Sequence, residues 1–156
     1  MTMNSIHTHT EDLAQQLYSL KLTADAHQWL VDLFETLQGL DDWYDGDDIP
    51  DREKLKVIHN CLVVLSSNPF FLINHTRLHP LINSLILKWC GANDIEDQKD
   101  AAQLPKAYMW RAGFYDVVLE VFAIQNGFQA AAMTASRILE MYGESLDSYT
   151  KEFTNA

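Results

Sequence analysis

Apolar positions recur at helical spacing along nearly the whole chain, and no segment alternates with a period of two. Leu13, Leu17 and Leu20 mark a short first helix opening at Thr10. Thr23 is placed to cap a second, whose stripe is Ala26, Leu30, Leu33 and Leu37, widened by Trp29 and Phe34 and closed by Gly39. Residues 40–50 read as a loop. A third helix starts near Asp51, with Glu53 in the first turn, where the helix dipole favours carboxylates. It carries two stripes: Leu55, Ile58, Leu62 and Leu65 on one side, and Val57, Cys61 and Val64 on another. A helix apolar on two faces belongs at the centre of a bundle.

Asn68-Pro69 supplies a cap and a proline at the first helical position. One turn over 70–74 follows, then a longer helix from Thr76 or His79, with Leu78, Ile82, Leu85, Ile86 and Trp89 inward and Gly91 and Asn93 at its end. Residues 94–103 are polar. The segment 106–125 is helical and, from Phe114 on, apolar nearly all round; Asn126-Gly127 ends it. A helix over 129–142 and a final amphipathic one, with Leu146, Tyr149 and Phe153 on one side, complete the chain. The prediction is an all-α fold: a single irregular bundle of five or six helices over residues 11–156, with the helices near 54–65 and 106–125 central and residues 1–10 frayed.

Length and composition agree with one globular core. The chain has 156 residues, 47% hydrophobic and 21% charged, and no apolar run of the 18 or more residues that a membrane span needs. The N-terminal residues show no basic and apolar leader pattern, so the expected location is the cytoplasm, without membrane attachment. Cys61 and Cys90 both have apolar neighbours in sequence and read as buried thiols.

Charge changes this picture more than composition does. The net charge is −11, which disfavours direct binding to a phosphate backbone. The carboxylates are also unevenly placed: Asp41–Asp51 holds six and no base, whereas residues 54–93 hold Lys54, Lys56, Arg77 and Lys88 and no carboxylate. Within the acidic stretch, Trp43 and Tyr44 are two large aromatics of the kind that dominate interface energetics. Asp41, Asp42, Trp43, Tyr44, Asp45, Asp47 and Asp48 are therefore the candidate partner-binding residues, unless the two rings pack back on the bundle. The stretch does not meet calcium-loop chemistry. With Gly46 at the sixth position, Trp43 falls at the third, where an oxygen ligand is needed, and Arg52 at the twelfth, where a bidentate Glu belongs. A looser cation site would draw on Asp41, Asp45 and Asp47; the competing reading is a solvated turn, and no cofactor is expected.

The second candidate is Tyr108, Arg111 and Tyr115, which share a helical face, together with Asp116. Arg111 lies in an apolar helix and needs a carboxylate partner. Either a buried ion pair fixes the helices, or the guanidinium binds an anionic ligand. No Gly-rich phosphate loop, nucleophile elbow or Glu-x-x-His pair is present. The expectation is a non-enzymatic acidic protein that binds a protein partner, of the regulatory or mobile-element accessory kind. The alternative is a ligand-binding protein or metal-dependent enzyme with a pocket around Arg111 and Asp116. Self-association as a homodimer, through the last helix, is the third expectation.

Overall fold

The computed structural model describes residues 3–154, with side chains from residue 11 onward. These residues are helical, with no strand among them. The helices are α1 (Met3–Tyr18), α2 (Ala24–Tyr44), α3 (Asp51–Ser67), α4 (Pro69–Gln98), α5 (Leu104–Arg111), α6 (Gly113–Leu139) and α7 (Leu146–Thr154). The all-α expectation is met. The chain forms two compact units, Met1–His75 and Thr76–Ala156; α4 gives its first residues to one and the remainder to the other.

In the first unit, α2 is the organising element. It buries Ala26, Trp29, Leu30 and Leu33, while α1 contributes Leu13 and Leu17, and Leu20 follows from the connecting turn. The Trp29 indole stacks on Phe71, with ring centroids 5.4 Å apart, and its N–H donates to the Leu65 carbonyl at 3.2 Å. That bond ties the end of α3 to α2. The start of α4 is capped as the sequence predicts: Asn68 Oδ1 accepts from the amides of Phe70 and Phe71, and Pro69 opens the helix.

Several boundaries differ from expectation. Gly39 does not end α2, which runs to Tyr44 and takes in half of the expected loop. A Cβ on Gly39 would lie 2.5 Å from Val57 Cγ2, so the missing side chain is what lets α3 approach. Likewise α4 does not stop at Gly91 and Asn93 but continues to Gln98. Gly91 makes room for the Trp110 ring, and Asn93 binds Arg111. Lys99, at φ 53, sits just past the end in the left-handed conformation that stops a helix. Finally, 70–74 is not a separate turn, because α4 is continuous through Pro80. Helix α1 includes residues 3–10, read from sequence as frayed; residues 1–2 lie outside the described residues. Gly127 does interrupt helix as expected, at φ 82 and ψ 169 inside α6.

In the second unit α6 is the buried element: Phe114, Tyr115, Val117, Val118, Val121 and Phe122 are all buried, as expected from Phe114 on. The helix expected over 106–125 is, however, broken at Ala112, so Tyr108 and Arg111 of α5 do not share one helical face with Tyr115 of α6. Ala92, Leu104, Ala107 and Tyr149 form a buried cluster, against which Ile95, Tyr108 and Phe153 pack. Of the apolar side of α7, Tyr149 is buried within the chain and Phe153 packs against the same cluster, while Leu146 is exposed. No described helix is long and apolar enough alone to cross a membrane; α3 and α4 pass by length and composition only as a pair, bent by 97°.

The α2–α3 contact yields a test. In an open helix Gly→Ala gains about 1 kcal/mol. Here Gly39→Ala should instead lower stability by about 1–2 kcal/mol through overpacking, and the penalty should vanish in a Val57→Ala background. A denaturant double-mutant cycle reads the coupling; additive effects would mean that Val57 does not sit against Gly39.

Candidate functional site

The acidic stretch is built as a helix terminus. Gly46 adopts φ 78, and two backbone bonds close α2 behind it: the Asp47 amide donates to the Asp42 carbonyl at 3.0 Å and the Gly46 amide to the Trp43 carbonyl at 3.3 Å. This is a Schellman cap, which needs a residue in the left-handed region at Gly46. The same turn accounts for the failed calcium-loop spacing, since the glycine ends a helix here rather than wrapping an ion. Among the described residues no group of three or more His, Cys, Asp or Glu side chains is placed to hold a metal ion, and Asp41, Asp45 and Asp47 do not make one.

Within the stretch, Trp43, Tyr44, Asp45, Asp47 and Asp48 are exposed and Asp41 is half-buried. Asp42 is buried, so its side chain is not presented to a partner; among the described residues its Oδ2 finds no hydrogen bond. Burial, reinforced by Asp47 and Asp41, pushes the Asp42 carboxyl above its usual range. No basic residue lies in the last turn of α2, although the negative end of the helix dipole favours cations there. The two lysines that follow in α3 are engaged: Lys54 lies 3.6 Å from Asp51, and Lys56 lies 3.2 Å from Glu35.

The tyrosine–arginine constellation closes on itself. Arg111 Nε donates to Glu96 Oε1 at 2.9 Å, and its Nη2 reaches both Glu96 Oε2 and Asn93 Oδ1. The Tyr149 hydroxyl donates to the same carboxylate. The expected carboxylate partner exists, but it is Glu96 from the segment read as a polar loop. Its signal lay in the spacing of Asn93 and Glu96, three apart on one helical face. Asp116 is exposed and pairs with Lys88 at 2.5 Å. Tyr108 donates to the Glu144 carbonyl at 2.7 Å, and Tyr115 to the Met141 carbonyl at 3.1 Å. Burial pushes the Tyr115 hydroxyl up to about 12 and also raises Tyr142 and Tyr149. These residues bind α4, α5, α6 and α7 together, and their hydrogen-bonding groups are spent on the chain itself.

The feature that sequence reasoning misplaced is α3. Only the stripe of Val57 and Asn60 is buried, with Val64 half-buried beside it. The first three residues of the other stripe stand in solvent, Leu55 being 65% exposed, Ile58 41% and Leu62 72%, against 7% for Val57, while Leu65 at its end is half-buried. Val63 and both cysteines are exposed too, so the expectation of buried thiols fails, as does a central position for 54–65. Within the first unit, among the described residues, α3 packs on α2, which takes only one of its two stripes. A π-helical turn over Asn60–Val64 lies in the middle of this segment, a distortion frequent at functional sites.

No protein-family model, curated protein or solved structure matches the chain.

Two measurements follow from the Arg111 network. Glu96→Gln leaves a largely buried guanidinium without its counter-charge and should cost about 3 kcal/mol, whereas Glu96→Leu with Arg111→Met should cost less than Glu96→Gln alone; a near-neutral Glu96→Gln would contradict the pairing. On the alkaline side the folded chain holds tyrosine protons that the unfolded chain releases at its ordinary value of 10.0. Stability contributed by Tyr115 is therefore intact below pH 10 and lost as pH rises toward about 12. Phenolate absorbance of the native chain should show buried tyrosines ionising only with unfolding; full ionisation while still folded would contradict their burial.

Proposed function

We propose that this chain is a non-enzymatic acidic helical protein that binds another protein through its first unit, at the exposed stripe of α3 and the adjoining end of α2. The observation that carries the reading is the open side of α3. Leu55, Ile58 and Leu62 are spaced i, i+3 and i+7, so they lie on one face of the helix. Fully burying an exposed Leu or Ile gains roughly 1.5–3 kcal/mol, and Leu55 and Leu62 have most of that still to gain. Exposed aliphatic side chains are ordinary when scattered, but an ordered row along one helix face is a recognition feature. Trp43 and Tyr44 at the end of α2 supply the aromatic anchors and Asp45, Asp47 and Asp48 the charge.

The Arg111 constellation supports a structural role instead, since its groups are satisfied within the chain, and no observation favours a reaction there. Regulation of a macromolecular partner, as by a mobile-element accessory protein, is consistent with a small acidic chain of this kind.

The reading is tested by substitution at exposed positions, which leave stability within about 0.5 kcal/mol. Retention of a partner from cells that make this protein should be lost with Leu55→Ser/Leu62→Ser and reduced with Trp43→Ala/Tyr44→Ala. The thermal melt should be unchanged in both. Partner retention equal to wild type in both variants would overturn the proposed face.

A further inference from the structure

The open stripe of α3 and the carboxylates that end α2 are consecutive in the chain, with only Ile49 and Pro50 between Asp48 and the first residue of α3. Together they specify the chemistry of what covers them. This inference rests on the reading of α3 as a docking face. We infer that the occupant is a basic amphipathic α-helix of another protein. Its apolar row lies on Leu55, Ile58 and Leu62, and its Lys and Arg residues lie toward the N-terminal end of α3, over Asp45, Asp47, Asp48 and Asp51.

Shape and charge both lead to this occupant. Leu55 and Leu62, at the ends of the row, are seven positions apart, about 10 Å of helix axis, which two turns of an opposing helix cover with residues at its own i, i+3 or i+4, and i+7 positions. At the end of that row the chain presents four exposed carboxylates and the carbonyl end of α2, with no base in its last turn. Lys54 pairs with Asp51 and Lys56 with Glu35, and residues 41–51 themselves hold six carboxylates and no base. A cationic helix end gains there from both the carboxylates and the helix dipole. A second copy of this chain is disfavoured, because each carries −11 and the same acidic end. An anionic bilayer is disfavoured for the same reason of sign.

The probe is a labelled helical peptide of about 18 residues with Leu at i, i+3, i+4 and i+7 and Lys at the remaining exposed positions, alongside versions with Gln or Glu for Lys. Titrated against the full chain at low salt, the Lys peptide should bind at least about tenfold more tightly than the Gln peptide, and the Glu peptide should bind least. Added salt should narrow that preference. Leu55→Ser/Leu62→Ser should weaken the Lys peptide by at least about tenfold, and Asp45→Asn/Asp47→Asn/Asp48→Asn should abolish the preference for Lys over Gln. Equal binding of the Gln and Lys peptides, still lost with Leu55→Ser/Leu62→Ser, would overturn the basic partner while leaving α3 a docking face. Lys-peptide binding indifferent to Leu55 and Leu62 would overturn both. Two further results would replace the occupant and overturn the inference: a dimeric mass that reverts to monomer with Leu55→Ser/Leu62→Ser, or binding to phosphatidylcholine vesicles lost in the same variant.

Discussion

The first unit is arranged around one close approach, that of α3 to α2 at Gly39. Val57 Cγ2 occupies space that any other residue at position 39 would fill with its own Cβ. This contact decides which side of α3 is covered. Once Val57 faces α2, Asn60 and Val64 follow it inward, and Leu55, Ile58 and Leu62 are turned outward. The Trp29 bond to the Leu65 carbonyl fixes the far end of the same interface. The outward stripe is thus a consequence of how the inward one is held, and its exposure follows from the fold rather than from a loosely packed surface.

The second unit solves a different problem. Arg111 sits in an apolar setting, where an unpaired guanidinium would be very costly. Glu96 meets it with both carboxylate oxygens, and Asn93 and Tyr149 complete the arrangement. The network joins α4, α5 and α7, and it explains why α4 continues past Gly91. Chemistry that resembles an anion site in sequence is consumed in holding helices.

Much of this was legible in the sequence. The all-α class, the Asn68-Pro69 start of α4, the break at Gly127 and the burial of 114–122 follow from local signals: caps, glycine conformation and all-round apolarity. The acidic end of α2 was legible as charge, but its form was not. Gly39 reads as a helix stop by local rules, and only the neighbour at Val57 shows why the helix goes on through it. Asn93 reads as a helix end and Glu96 as part of a polar stretch because their partner, Arg111, is 15 and more positions away. The two stripes of α3 were visible, yet a single sequence does not say how many neighbours a helix has. Periodicity reveals which faces are apolar; only packing reveals which of them is covered.

The central claim is that α3 carries a second apolar face open to solvent in the free chain. The most direct measurement is methyl NMR of that chain with a soluble paramagnetic agent, comparing α3 side chains with one another. The account predicts strong broadening of the Leu55, Ile58 and Leu62 methyls while Val57 methyls stay sharp. Protection of Leu55 and Leu62 equal to that of Val57 would contradict it.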